Sequence, residues 1–152
     1  MLYTIYNKIS LTDLRIGNLV NRIGKPESEM YTVRGMDAVA NKVYTEIVVG
    51  GVPVPLKLNA VEVGGISVEE KYFKMFSFVK EKDPEIPIRQ KDYLHIKDKF
   101  VITTDILTND YILGEFIREG LYHPLGHFKY VHQLQNIYYT KTGEELEIRK
   151  KI

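Results

Sequence analysis

Up to Leu58, apolar and polar residues alternate with the period of two expected of strands that have one wet face. Leu19-Val20, Tyr31-Thr32-Val33-Arg34 and residues 43–49 all fit this pattern. Residues 52–58 return after Gly50-Gly51, a pair suited to the positive φ angles of a two-residue hairpin turn. Pro53 and Pro55 lack N–H donors at alternate positions, so the returning strand is expected on a sheet edge with those positions unpaired. Short strands at this spacing predict a small twisted sheet or half-open barrel.

The period then lengthens. Ser67-Val68-Glu69-Glu70 has capping-box spacing and predicts a helix over 68–79. Its Tyr72, Phe76 and Val79 share a stripe with Phe73 beside it, suited to packing on a sheet or to use as an exposed docking face. Residues 80–91 are charged, contain Pro84 and Pro87, and read as a connecting loop. Residues 93–97 and 100–106 around Asp98-Lys99 predict a hairpin, and 111–117 after Thr108-Asn109-Asp110 a third strand.

Residues 129–142 are helical in period again. Tyr130, Val131, Leu134, Ile137 and Tyr138 fall within one third of the circumference and form the stripe to be buried, while Lys129, Gln133 and Thr140 face water. Gly143 is expected to end the helix in a left-handed conformation, with Leu146 folding back over the last turn and 146–148 adding an edge strand. The expected architecture is α+β: a small twisted N-terminal β-sheet or half-open barrel, a capped helix, an antiparallel β-meander and a C-terminal amphipathic helix. Residues 1–152 suit one domain, with 1–79 and 92–152 as sub-lobes about the 80–91 connection.

One flank of the last helix is polar. His132, Gln135, Asn136 and Tyr139, at spacings i, i+3, i+4 and i+7, share a side. They have two readings. They can satisfy nearby backbone groups where the helix meets the meander, as buried polar side chains must. Or they can offer donors, acceptors and a ring to a small ligand or a partner. The first is the more ordinary use of amides on a helix shoulder.

Composition narrows the chemistry. With no cysteine among 152 residues, disulfides, thiolate nucleophiles and Cys-based zinc sites are excluded. A net charge of +1, from 21 Lys plus Arg against 20 Asp plus Glu, argues against general nucleic-acid binding. The Arg149-Lys150-Lys151 run reads as a solvated terminus. No apolar run is long enough to span a bilayer, and residues 1–8 lack the order of a signal peptide, so a cytoplasmic protein is expected. The serines Ser10, Ser28, Ser67 and Ser77 lack a nucleophile-elbow motif, and Gly50-Gly51 and Gly64-Gly65 lack a Walker ending. Gly64-Gly65 before a helix could offer N–H groups to an anion, but Glu69 and Glu70 oppose it. His123, His127 and His132 lie close in sequence, with Glu115 and Glu119 as carboxylates, yet Pro124 and Gly126 break any helix that would align the first two. No catalytic residue, metal or cofactor is therefore assigned.

Two strings resemble a known family. Lys129-Tyr130-Val131-His132-Gln133-Leu134-Gln135-Asn136-Ile137-Tyr138-Tyr139, followed by Thr142-Gly143-Glu144-Glu145-Leu146, resembles the C-terminal signature of a family of uncharacterised proteins. These occur in Bacteroidetes genomes, their mobile elements and their phages. Leu14-Arg15-Ile16-Gly17-Asn18-Leu19-Val20 resembles the family's N-terminal segment, while the middle diverges. Residues 68–78 carry Tyr and Phe where the family places a Trp-Leu pair, a departure that bears on packing. The resemblance implies an accessory or host-interaction role, interference with a bacterial defence system included, and assigns no activity. The leading expectation is a non-enzymatic binding or adaptor protein with a protein partner or self-association. The alternatives are a small hydrolase or sequestering protein for a nucleotide-like ligand, using the polar flank with His123 or His127, and a virion structural component. Neither a membrane nor a nucleic-acid partner is expected.

Overall fold

The computed structural model describes residues 9–26, 29–82, 93–105, 107–118 and 121–148. The fold is α+β and mostly sheet, as the sequence predicts, and the chain divides into two compact units. One comprises Met1–Ser67 with Tyr130–Asn136, the other Val68–Lys129 with Ile137–Ile152.

In the first unit, β1 (Leu19–Arg22), β2 (Tyr31–Asp37), β3 (Lys42–Val49), β4 (Val52–Asn59) and β5 (Val63–Gly64) form an antiparallel sheet in the order β4-β3-β2-β1-β5. It curls into a half-barrel. The inward positions of the alternating pattern close the core: Val20, Val33, Val43 and Val63 are fully buried, with Ile9, Leu14, Tyr31 and Leu58 around them. Gly50 and Gly51 take φ of 58° and 80°, so the predicted hairpin turn forms with Val49 opposite Val52. As expected from its prolines, β4 is an edge strand.

In the second unit, β6 (Val79–Lys82), β7 (Tyr93–Lys97), β8 (Phe100–Thr104), β9 (Tyr111–Arg118) and β10 (Leu121–Phe128) form a second antiparallel sheet in the order β10-β9-β8-β7-β6. A short helix, α1 (Glu70–Met75), packs Phe73 against it. The Phe73 ring meets His95, Tyr111 and Phe128 edge-on at 4.9, 5.0 and 6.0 Å between centroids. Such edge-to-face contacts add specificity to the burial of a large apolar side chain.

Several expectations fail for identifiable reasons. The helix predicted over 68–79 spans only Glu70–Met75, and its N-cap position is Glu69 and not Ser67. Ser67 is held extended in a β-bridge with Tyr130, and the Val68 N–H donates to the Lys129 carbonyl, so the helix cannot begin until Glu69 has turned the chain. At its other end Ser77 adopts φ 72°, the Phe78 N–H reaches back to the Phe73 carbonyl, and the Ser77 N–H to that of Lys74. This is a Schellman stop with serine in the place that usually holds glycine. Val79 consequently leaves the expected stripe and stands exposed at the start of β6. Residues 80–82, expected in a loop, belong to that strand, while 83–92 and Ile106 lie outside the described residues.

β10 was not anticipated either, because Pro124 and Gly126 read as breakers. An edge strand with a bulge between those residues accommodates both. Residues 146–148 form no strand, although Leu146 is buried as expected.

The C-terminal helix is α2 (Val131–Thr142), its residues to Asn136 counted with the first unit and those from Ile137 with the second. Val131, Leu134 and Tyr138 of the predicted stripe are buried, and Gly143 ends the helix at φ 72° with its N–H on the Tyr139 carbonyl. At the helix entrance the Tyr130 ring lies flat on Gly65: an added Cβ there would stand 2.7 Å from Tyr130 Cγ and Cδ1. Gly65→Ala should therefore cost about 1–3 kcal/mol through overpacking. Urea unfolding of the two proteins measures it.

Candidate functional site

Three of the four flank residues lie in the first unit, and there they face the chain that leads into β1. Gln135, at 1% exposure, accepts the Leu19 N–H at 2.8 Å through Oε1 and donates to the Gly17 carbonyl at 3.2 Å through Nε2. Asn136 Oδ1 accepts from Asn18 Nδ2 at 2.8 Å and Arg15 Nε at 3.2 Å, while its Nδ2 donates to the Asp13 carbonyl at 2.9 Å. The Asn18 side chain closes the loop on itself by accepting the Arg15 N–H at 2.7 Å. Gly17 is needed here for its φ of 98°. The two amides are thus engaged structurally, but their partners are residues 13–19 and not the meander expected from the sequence, and at 1% exposure Gln135 offers nothing to solvent.

His132 differs from its neighbours. Its ring is 3% exposed and stacks on Tyr130 at 5.9 Å between centroids, and its buried Nδ1 has no hydrogen-bond partner. Burial lowers the imidazole pKa to about 4, against a smaller opposing pull from the Asp13 carboxylate, so it is neutral near pH 7. Tyr139 is the exposed member of the four, at 39%.

The other histidines do not converge. His123 pairs with Glu115 and His127 with Ile112 across β9, and the bulge between Pro124 and Gly126 puts the two imidazoles on opposite faces of β10. His127 Nε2 lies 3.0 Å from Asp105 Oδ2. Asp105 is held below the usual carboxylate range, first by the Leu107 N–H and then by His127. Glu115 is taken by Lys141 at 3.1 Å and Lys99 at 3.8 Å, and Glu119 lies outside the described residues. Among the described residues no three His, Asp or Glu side chains gather as a metal ion requires.

A surface feature away from the helix flank is the end of the β3–β4 hairpin, part of the returning strand over 52–58 that the sequence offers as a contact surface. From Ile47 to Leu56 there is no charged side chain. Val49 and Val52 continue the core face of the hairpin beyond the core, and Val48 with Pro53 occupies the other face. The exposures are 64% for Val48, 58% for Val49, 60% for Val52 and 39% for Val54. The tip is thus an arm that is apolar on both faces. The signal lay in the run of ten uncharged residues, too long for a strand pair that must end in solvent.

Compared with protein-family models, functionally described proteins and solved structures, the chain matches none.

Two outcomes follow from the flank geometry. Gln135→Ala strands the Leu19 N–H and the Gly17 carbonyl and opens a cavity, and should cost about 2–4 kcal/mol in denaturant unfolding. His132, whose folded pKa lies below its unfolded value, lends stability that is complete above about pH 6.5 and is lost as pH falls towards 4. Between pH 7 and pH 5 the wild-type protein should lose about 2 kcal/mol more than His132→Phe, measured as the difference in unfolding free energy.

Proposed function

We propose that the protein is a non-enzymatic binding protein of the adaptor kind, and that it associates through the β3–β4 arm with a second copy of itself. The observation that carries this reading is the exposed, uncharged, two-faced apolar hairpin end at Val48, Val49, Val52 and Val54. Contiguous apolar surface of this sort favours removal from water and marks contact surfaces. A second copy is the occupant that charge favours: two uncharged patches meet about a two-fold axis with no like-charge cost. Pro53 and Pro55 present no outward N–H on β4, so copies join through side-chain faces and not by lengthening the sheet. The same prolines weigh against strand addition in a virion lattice. A pair of copies displays every other surface twice, which is how an adaptor gains avidity. The resemblance to the Bacteroidetes and phage family extends the reading to an accessory, host-interaction or anti-defence role in the host cytoplasm.

Light scattering and sedimentation equilibrium, from low micromolar to several hundred micromolar, test the association. The mass should rise towards twice that of the chain with little dependence on salt, because the contact is apolar. Val49→Lys combined with Val52→Glu should return it to one chain with the unfolding midpoint unchanged, since both side chains stand in solvent. A wild-type protein that stays monomeric throughout overturns the proposal, as does a dimer unaffected by the double variant.

A further inference from the structure

The second unit contains an open groove of about 560 Å³ between α1, the segment after it and the β6–β7 edge. Such a volume falls in the range of small-molecule sites and is far larger than an inorganic anion needs. Its floor is made by Phe78 and His95, which are 3% and 6% exposed. The His95 ring is fixed by its edge contact with Phe73. Among the described residues neither imidazole nitrogen has a hydrogen-bond partner, and the residue lines the groove. A buried imidazole that packs on Phe73, lines a cleft and is unpaired among the described residues is a hydrogen-bonding group available to whatever occupies that cleft.

The rim is basic. Lys71, Lys74 and Lys80 line it, and Glu70 is the carboxylate among them. Glu70 Oε2 lies 3.2 Å from Lys80 Nζ, which neutralises that carboxylate, and Lys71 reaches Glu69 outside the groove at 3.3 Å. Lys74 takes part in none of these pairs. The lining thus keeps a positive excess over an apolar floor, and burial holds His95 below its usual pKa, so it is neutral and can donate a hydrogen bond without adding charge.

We propose that this groove binds a small organic anion, a phosphate monoester on a flat apolar body, with the phosphate held by Lys74, Lys80 and a His95 N–H and the body lying over Phe78 and the lysine stems. Lysine ammonium groups suit phosphate as point charges, and their aliphatic stems cover apolar surface. The volume and the apolar floor are what an inorganic ion would leave unused. This site is independent of the β3–β4 arm.

Phenyl phosphate, inorganic phosphate and uncharged phenol are the probes, titrated against the full chain and followed by backbone and imidazole NMR shifts. Phenyl phosphate should give saturable shifts centred on His95, Lys74 and Phe78, with affinity above that of inorganic phosphate and of phenol. Lys74→Glu, a change at an exposed position, should weaken phenyl phosphate by about fivefold or more. His95→Gln should weaken it while leaving phenol unaffected. No saturable shift in the groove overturns the proposal, as does binding unchanged by Lys74→Glu or phenol binding as well as phenyl phosphate. Inorganic phosphate binding as tightly as phenyl phosphate overturns the apolar part of the assignment.

Discussion

The amide of Gln135 is the contact on which the first unit turns. It bridges the buried Leu19 N–H and the part-buried Gly17 carbonyl. Leu19 opens β1, and β1 lies between β2 and β5, so whatever fixes the entry to β1 fixes the register on both sides of it. Asn136 extends the grip to Asp13, Arg15 and Asn18. Residues separated by more than 110 positions are joined through these amides. Loop closure over such a span carries an entropy cost, and these hydrogen bonds, acting together with the apolar stripe of α2, offset it.

This use of the helix flank clarifies where recognition can occur. Polar groups at Gln135 and Asn136 are engaged by the backbone and side chains of residues 13–19, whereas unsatisfied character stands elsewhere. On the β3–β4 arm it is apolar surface left in water; at His95 it is an imidazole without a hydrogen-bond partner among the described residues. The two call for different ligands. Apolar faces gain by leaving water and are insensitive to salt, while a buried imidazole under a basic rim gains by meeting an anion. His132 is a third case: its Nδ1 is sealed as well as unpaired, so its neutrality affects stability against pH and presents nothing to a ligand.

Much of the architecture was legible in the chain because it rests on local rules. The Gly50-Gly51 turn, the edge position of β4, the buried stripe of α2 and the stop at Gly143 each follow from glycine's access to positive φ, proline's missing donor or helical period. The same rules misled where a distant partner intervened. Ser67 has the spacing of a cap, yet its pairing with Tyr130 keeps it extended; Pro124 and Gly126 look like breakers, yet an edge strand with a bulge takes both.

The amino-acid sequence by itself determined the kinds of element, the α+β class and the grouping of His132, Gln135 and Asn136 on one side of a helix, because periodicity and turn chemistry act over a few residues. Only the tertiary structure decided what that side faces, that the uncharged run from Ile47 to Leu56 extends beyond the core, and that His95 lines one groove with three lysines. Burial and pairing depend on which remote segments arrive at the same place, and that is set by packing of the whole chain and not by the order of neighbours along it.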